Sequence, residues 1–359
     1  MSDDERSDSL LSEQSATEPG PLTAEEISRD PFINKVRELY DAGWPLFTKE
    51  MIRHAQDQIS QQPLPANVDL LGFDGKMHTR PCLINLFTPG RDETWLPYIH
   101  YKSFESLTQP RRHPETSFVT VLIGGTLARD ADATLNISQD DVRRAFDKNF
   151  DLWEQSELWA GIKAQMQPHL STLPKTVDKI IGFGLGEFTQ PSSVICGYNG
   201  KDRSCAQHSL MIMAAKFVEE HTGNSIKCYA QDPAYFDTCK MVLTDRAVEV
   251  VEAERGFLLV DENTIVVSIS PNVPVRQIVA DLGRPAMMMW NQISEPEVRE
   301  WMYSDEALGW ISPYTTDPVS PRVMALREDY TELIINGGES ADKLLGDMAV
   351  YVRKPSLKL

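Results

Sequence analysis

The chain has 359 residues, of which 41% are hydrophobic and 25% are charged, and its formal net charge is −18. This length is sufficient for one large or two ordinary domains with buried cores. The composition is that of a globular protein, and no apolar run approaches the roughly 18 residues of a membrane span. The acidic balance excludes a protein that coats duplex DNA with a basic surface.

The first 30 residues are rich in serine and in acidic residues, with nine acids and two bases. Such a segment buries too little apolar surface to fold, so residues 1–30 are predicted to form a disordered acidic tail. They show no basic-then-apolar targeting signal. The five cysteines lack the close spacing of a zinc site, which predicts reduced thiols and a cytoplasmic protein.

Residues 31–174 are predicted to form an N-terminal α+β region. It opens with apolar residues at helical spacing, and a second helix is predicted over residues 47–59. The dipeptide Asp74-Gly75 is a strong turn signal and predicts a β-hairpin. Further along, Ser138 precedes acidic residues and an apolar helical stripe, so it is the predicted N-cap of a helix.

Residues 175–359 alternate short apolar runs with helical patterns. This alternation predicts an α/β fold with a Rossmann-like, doubly wound and mostly parallel sheet. Five strands and a last strand are predicted in chain order at residues 179–181, 225–230, 247–252, 264–268, 285–290 and 349–353. A helix is predicted over residues 295–303, followed by a proline-rich loop as far as residue 321.

Three glycines spaced two apart, Gly182, Gly184 and Gly186, follow the first predicted strand. They do not form the dinucleotide fingerprint, because Glu187 stands where its third glycine is required, and no Walker motif follows. The turn is either a tight bend packed against a helix or a ligand-facing loop at the strand ends. A glutamate at this position opposes the binding of a phosphate.

Polar side chains follow the later strands as well. Asp232 ends the second strand, where acids of Rossmann-like folds hold a ribose or an amine, although an Asp-Pro helix cap explains it equally. Tyr235 lies three residues on, and Asp232 is a candidate partner for its hydroxyl. Gln207 and His208 open the helix after the glycine turn, and Asn272 lies between two prolines after the fourth strand. No metal-site or nucleophile-elbow motif is present.

Four separated motifs carry a resemblance to a known family. They are KIIGFGLG at 179–186, AQH at 206–208, YAQDPAY at 229–235, and DENT through SPNVP at 261–274. Together they resemble the sensitivity-to-red-light-reduced-like (SRR-like) domain in its fungal form. Members of that family are linked to circadian and light signalling, microtubule function and haem regulation. One fungal branch is similar in length and layout, namely the arginine-containing cyclodipeptide synthases.

The resemblance to that branch implies an enzyme of secondary metabolism that joins arginyl-tRNA and a second aminoacyl-tRNA into a cyclo(Arg-Xaa) diketopiperazine. Because the amino acids arrive as activated esters, it implies no ATP site and no cofactor. Aminoacyl-tRNAs are the implied partners. Glu187 and Asp232 are the implied acids for the guanidinium, and Tyr235 is the implied proton shuttle. The other implied substrate contacts are Gly182, Gly184, Gly186, Gln207, His208, Asn272 and Glu295.

The chain departs from the cyclodipeptide synthase pattern at two points. An Asp-Asp-x-x-Glu motif is absent, since Arg144 follows Asp140-Asp141 at the position of the glutamate, and Glu295 belongs to the nearest acidic cluster after the fifth strand. Bacterial cyclodipeptide synthases accept the acyl group on a serine after the first strand. Glycines occupy that turn here, and Thr189 is among the nearest substitutes.

Two other functions remain open. A non-catalytic SRR-like regulator would have a crevice without convergent acids, and a nucleotide- or S-adenosylmethionine-binding enzyme would place Asp232 on a ribose. The tRNA-dependent enzyme requires a basic surface near the crevice, for which Arg143, Arg144 and Lys148 are candidates.

Overall fold

A seven-stranded sheet organises the chain, and helices and short hairpins cover its two faces. The computed structural model describes residues 24–82, 95–108, 118–127, 138–189, 194–195, 198–252, 254–295, 302–304, 309–336 and 338–355.

Helices and two hairpins precede the large sheet. In chain order they are α1 (Ala24–Arg29), α2 (Pro31–Asp41), α3 (Lys49–Ile59), β1 (Asn67–Leu71), β2 (Met77–Pro81), β3 (Trp95–Tyr101), α4 (Phe104–Leu107), β4 (Val121–Leu127), α5 (Gln139–Glu154), α6 (Glu157–Met166) and a 3-10 helix (Gln167–Thr172). The predicted hairpin around Asp74-Gly75 is confirmed, because β1 pairs antiparallel with β2. The predicted cap is also present, since Ser138 accepts a hydrogen bond from the Asp141 N–H at the start of α5.

The α/β portion follows. Its elements are β5 (Lys179–Phe183), β6 (Val194–Ile195), β7 (Tyr198–Asn199), α7 (Gly200–Thr222), β8 (Lys227–Gln231), α8 (Asp237–Asp245), β9 (Val248–Val250), α9 (Arg255–Leu259), β10 (Thr264–Ser268), α10 (Val275–Leu282), β11 (Met287–Asn291), β12 (Met302–Ser304), β13 (Gly309–Ile311), α11 (Pro321–Arg327), β14 (Tyr330–Ile334), α12 (Gly338–Leu345) and β15 (Met348–Arg353).

The strands of the large sheet lie in the order β14-β15-β11-β10-β5-β8-β9. The five strands from β11 to β9 pair in parallel, whereas β15 pairs antiparallel with both β11 and β14. β10 is buried along its whole length, as its continuous β-branched run predicts for a central parallel strand. The predicted Rossmann-like, mostly parallel sheet is confirmed, with an N-terminal α+β extension.

Two hydrophobic layers enclose the sheet. On one face, residues of α5, α6, α7 and α8 form one core with the strands. On the other face, α9, α10 and α11 pack together with α2, α3 and the N-terminal hairpins. The winding therefore changes face between β5 and β10, because the helices that follow β5 and β8 lie on the first face and those that follow β9 and β10 lie on the second.

Polar contacts fasten the N-terminal region to the second face. The Asp281 carboxylate on α10 accepts hydrogen bonds from the backbone N–H groups of Leu46 (2.6 Å) and Phe47 (3.1 Å). It also pairs with Arg322, whose guanidinium lies 3.9 Å from the centroid of the Tyr40 ring. These contacts join the segment between α2 and α3 to two helices of the α/β portion.

Three parts of the predicted layout are corrected. The predicted tail of residues 1–30 ends in a helix, α1. An ion pair between Glu25 and Arg29 supports this helix. Residues 1–23 lie outside the described residues. The helix predicted over residues 295–303 is wrong at its end, because Met302–Ser304 pairs antiparallel with Gly309–Ile311. That second strand lies within the predicted loop.

Candidate functional site

The point at which the winding changes face lies between β5 and β10, at the carboxyl ends of the strands. Ligands of open α/β sheets bind in the crevice outside such a switch point. Two turns meet there, since a Cβ atom at Gly184 in the glycine turn after β5 would lie 3.0 Å from Pro271 Cβ in the loop after β10. The glycine turn is therefore placed where the sequence analysis predicts the site.

The three glycines of the turn have different roles. Gly182 is still part of β5, and a Cβ atom there would lie 2.8 Å from the sulfur of Met211 on α7, so this glycine allows close packing of helix on strand. Gly184 and Gly186 have positive φ angles of 63° and 79°, which favour glycine. The close packing at Gly182 and the sharp turn at Gly184 and Gly186 agree with the predicted tight bend against a helix, and the ligand-facing alternative stays a prediction.

Asp232 holds the glycine turn in place. Its Oδ2 accepts a hydrogen bond of 2.7 Å from the Gly186 N–H, and its Oδ1 accepts one of 2.8 Å from the Ala234 N–H. The carboxylate that ends the second strand therefore lies against the turn that follows the first strand. Asp232 closes the turn before α8 rather than capping the helix, whose N-cap is Phe236, and its predicted role towards a ligand stays a prediction.

Glu187 belongs to the same turn. Its Oε2 accepts hydrogen bonds of 2.7 Å from both the N–H and the hydroxyl of Thr189. Thr189, one of the substitutes named for an acyl-accepting serine, is thus buried and bonded to a carboxylate. The predicted acids Glu187 and Asp232 both lie at the glycine turn.

Tyr235 and His208 form a buried pair inside the first helical layer. The Tyr235 hydroxyl lies 2.7 Å from His208 Nε2, and His208 Nδ1 lies 2.7 Å from the carbonyl oxygen of Ser204. The rings of Phe146 and Phe188 contact the imidazole. Burial lowers the pKa of His208 to about 4 and, together with the nearby Asp232 charge, raises that of Tyr235 well above its usual value. The partner of the Tyr235 hydroxyl is therefore His208, where the sequence analysis named Asp232 as a candidate.

The remaining predicted contacts are divided between core and surface. Gln207 is buried in α7, beside His208, whereas Asn272 and Glu295 are exposed. Asn272 follows Pro271, which contacts the glycine turn, so it lies near the crevice. Glu295 lies four residues beyond the end of β11.

A buried carboxyl group that the sequence analysis overlooked lies beyond β9. Glu254 is 6% exposed and accepts hydrogen bonds from the Tyr101 hydroxyl and, at 3.4 Å, from Gln231 Nε2. The Gly256 N–H in turn donates to Gln231 Oε1 (2.7 Å), which fixes the orientation of the amide. Burial raises the pKa of Glu254 to about 7, while the bonds to Tyr101 and Gln231 lower it.

Tyr98 lies close enough to Glu254 and Asp232 for both negative charges to act on its hydroxyl. Burial, followed by the negative charges of Glu254 and Asp232, raises the pKa of its hydroxyl to about 12. The N-terminal hairpin of β3 and β4 therefore lies beside the ends of β8 and β9. The one sequence signal for Glu254 is its position shortly after a predicted strand. Its neighbours Tyr98 and Tyr101 belong to β3, which the sequence analysis did not predict.

Arg203, also overlooked, spans the switch point from the other side. It lies in the first turn of α7, directly before Ser204. Ser204 is so close to the glycine turn that a Cβ atom at Gly186 would overlap its side chain. Its Nη2 donates a hydrogen bond of 3.0 Å to Ser270 Oγ in the loop after β10. The Ser270 N–H donates to Asn291 Oδ1 at the end of β11 (2.7 Å), so a polar chain connects the start of α7 with the ends of β10 and β11.

Two of the three bases of the predicted surface on α5 pair with acids, and Lys148 is the third. Arg143 pairs with Asp140 and Asp245, and Arg144 pairs with Asp141. These ion pairs weigh against a tRNA-binding surface at this place. Within the described part of the chain, no cluster of three or more histidine, cysteine or carboxylate side chains could hold a metal ion, and no helix is long and apolar enough to cross a membrane.

Comparisons with known proteins agree with the motifs and the fold. Residues 162–334 match the family model of the SRR1 domain, from α6 to the end of β14. No curated protein matches the chain. A solved structure of an O-methyltransferase family protein from Burkholderia thailandensis is similar over 63% of this chain and 59% of that one, with 11% identity and a TM-score of 0.28, and so low a score carries no information on function. Residues 162–334 of the chain are thus similar to the SRR1 domain.

Proposed function

We propose that the crevice between β5 and β10 is the active site of a tRNA-dependent cyclodipeptide synthase that joins arginyl-tRNA and a second aminoacyl-tRNA. The observation that carries this proposal is the contact between Asp232 and the glycine turn, which holds two carboxylates, Asp232 and Glu187, at the strand ends. The resemblance of the four motifs supports the reaction, and the two carboxylates support a binding site for the arginine guanidinium.

The reaction consists of two aminolysis steps that need no external energy source. In the first, the amine of one aminoacyl ester attacks the carbonyl carbon of the other, a C–N bond forms and the C–O bond to the tRNA ribose breaks. The proton of the amine passes to the released ribose hydroxyl. In the second step, the free amine attacks the remaining ester in the same way, which closes the ring and releases the second tRNA.

The two acids of the glycine turn suit the arginine side chain. A carboxylate offers about four acceptor positions, so oxygens that accept one or two backbone N–H groups keep further lone pairs. The planar guanidinium binds carboxylates through paired N–H donors. Asp232 and Glu187 are therefore the proposed guanidinium ligands, with Asn272 as a further contact near the crevice.

Glu254 suits the proton transfer better than Tyr235. A general base works best when its pKa lies near the working pH, and burial brings the pKa of Glu254 to about 7. The pKa of Tyr235 is raised well above its usual value, and its hydroxyl bonds to His208 within the core. In this proposal Glu254 is the base, and Tyr235 and His208 support the helix that carries Arg203.

The proposal is tested with purified protein, arginyl-tRNA labelled in arginine, and a mixture of the other aminoacyl-tRNAs. We expect labelled diketopiperazine by mass spectrometry, and no product from the Asp232→Asn variant. The control variant Glu295→Gln changes an exposed acid of the same predicted set and should retain most of the activity. Folded protein that consumes no arginyl-tRNA contradicts the proposal.

Two alternatives each have an observation in their favour. Asp232 and Glu187 accept hydrogen bonds from their own turns, so both acids already support the fold, which favours a non-catalytic SRR-like regulator. Asp232 also follows the second strand, beside the turn after the first, where Rossmann-like folds hold a ribose. This favours a nucleotide or S-adenosylmethionine enzyme. Absence of product combined with binding of S-adenosylmethionine would select the second alternative, and absence of both would select the regulator.

A further inference from the structure

Within the described ranges of the chain, the guanidinium of Arg203 has no carboxylate as an ion-pair partner. Its side chain is partly buried at the start of α7, and its one hydrogen bond among the described residues goes to the neutral hydroxyl of Ser270. The Nε atom is buried and has no hydrogen-bond partner. Buried charges are normally paired, and a buried donor without a partner is unfavourable.

Several other arginines of the described part of the chain do have carboxylate partners. Arg246 pairs with Asp147, Arg255 with Glu249 and Arg284 with Asp329, and these arginines lie at the surface or at packed edges of the protein. No carboxylate of the described residues forms such a pair with Arg203. The uncompensated guanidinium is thus located at the switch point, where ligands of this fold class bind.

We propose that Arg203, positioned by the Ser270 hydroxyl, binds an oxyanion of the ligand in the crevice, namely the phosphate of a nucleotide unit. A guanidinium suits a phosphate because its N–H donors match two phosphate oxygens at once. The glycine turn, which carries Glu187 and contacts Asp232, approaches α7 at Ser204, the neighbour of Arg203, so acidic and basic groups border the same crevice. A nucleotide would place its phosphate on Arg203 and leave Asp232 and Glu187 to the guanidinium of the arginine.

This inference rests on the proposed function in one respect. If that function is right, the nucleotide that Arg203 binds is the 3′ end of the aminoacyl-tRNA. The other source of an oxyanion is the carboxylate of a free amino acid. Both sources can be tested by direct binding, without turnover, so the result does not depend on whether the chain makes a diketopiperazine.

The experiment is calorimetric titration of the full chain with adenosine 5′-monophosphate, adenosine and arginine. The wild type should bind the monophosphate at least tenfold more tightly than adenosine. Arg203→Met should remove this preference without changing the affinity for adenosine, because a charge-assisted bond of this kind changes affinity by about tenfold or more. Arg203→Lys should keep part of the preference, and Ser270→Ala should reduce it a few-fold.

Arg144→Met serves as the control, because it removes the same charge from an exposed position on α5 and should leave all three affinities unchanged. Arginine binding that requires Arg203, without binding of the monophosphate, would assign the oxyanion to a carboxylate source. Equal affinities for the monophosphate in the wild type and Arg203→Met, or binding of neither the monophosphate nor arginine to the wild type, would overturn the inference. If Arg203→Met does not fold, the preference of Arg203→Lys for the monophosphate over adenosine decides the test.

Discussion

The Asp232 carboxylate accepts a hydrogen bond of 2.7 Å from the backbone N–H of Gly186, across 46 residues of sequence. This bond joins the end of the second strand to the turn after the first strand. The same carboxylate also accepts the Ala234 N–H, so one side chain fixes the backbone on both sides of the crevice floor. The geometry of the site therefore depends on Asp232 before any ligand is bound.

The first prediction concerns the substitution Asp232→Asn. An amide has one acceptor oxygen, so it can replace only one of the two bonds to Gly186 and Ala234, and its NH₂ group faces the other N–H. We expect a loss of about 1–2 kcal/mol in the free energy of unfolding, measured by urea titration. Glu295→Gln, at an exposed position, should change stability by less than about 0.5 kcal/mol. Equal stability of the two variants would show that the bonds to Asp232 are unimportant.

The second prediction separates the two requirements at Gly186. An alanine there would suffer from the positive φ angle and from overlap with Ser204 Oγ, whereas at Gly223 the φ angle of 73° is similar and a Cβ atom meets open space. Gly223→Ala should therefore cost about 1 kcal/mol from backbone strain, and Gly186→Ala about 1–3 kcal/mol more from overlap.

Adding Ser204→Ala to Gly186→Ala removes the overlapping oxygen and should recover most of the extra loss. The measurement is the unfolding free energy of the two single alanine variants and the double variant. Equal losses at Gly186 and Gly223 would contradict the close approach of α7 to the glycine turn.

The third prediction follows from the buried imidazole of His208. Its pKa is about 4 in the folded protein and 6.5 when unperturbed, so between these values the unfolded chain binds a proton that the folded protein does not. The contribution of this group to folding stability is therefore fully present above pH 6.5. It is lost as the pH falls through about 4, and the total loss is about 3 kcal/mol. His208→Gln should remove this loss, and an unchanged pH dependence in urea titrations between pH 4 and 6.5 would contradict the assignment.

Glu254 should act in the opposite direction. Its pKa is raised from 4.5 to about 7 by burial, so between these values the folded protein holds a proton that the unfolded chain releases. Stability from this group is present below pH 4.5 and is lost as the pH rises through about 7, by roughly 3 kcal/mol in full. Glu254→Gln should therefore gain stability relative to wild type as the pH rises. Parallel stability curves of the two proteins between pH 4.5 and 7 would contradict this prediction.

A fifth prediction tests the catalytic role proposed for Glu254. If its carboxylate is the base, product formation should increase with pH through about 7, and Glu254→Gln should lower the rate by about 10²-fold or more. Tyr101→Phe removes a bond that lowers the pKa of Glu254, so the midpoint of the rate profile should move to higher pH. A merely structural role of Tyr101 would lower the rate without moving the midpoint.

The central strands could be predicted from sequence because each is a continuous apolar run between turn signals. β10, predicted at residues 264–268, has those bounds in the structure. β14 was missed because Thr331 and Glu332 interrupt its apolar pattern, as suits a strand at the sheet edge with only one neighbour. β3 was missed as well, and Pro97 within it weakens a strand pattern.

The acids of the candidate site could be predicted because Glu187 and Asp232 directly follow predicted strands. The contacts of Glu254 could not be predicted in this way. Its partner Tyr101 is 153 residues away in sequence and belongs to the N-terminal hairpin, so only the packing of that hairpin on the sheet brings them together. Arg203 and Ser270 are likewise 67 residues apart. The local pattern around Arg203 is that of an ordinary solvated helix start.

The most direct test of the proposed function is mass spectrometry of extracts from a heterologous host that expresses either the wild-type chain or the Asp232→Asn variant. The account predicts a cyclo(Arg-Xaa) mass in the wild-type extract that is absent with the variant and with the empty vector, and its fragments would identify the second amino acid. Extracts of soluble, folded wild-type protein without such a mass would contradict the assignment as a cyclodipeptide synthase.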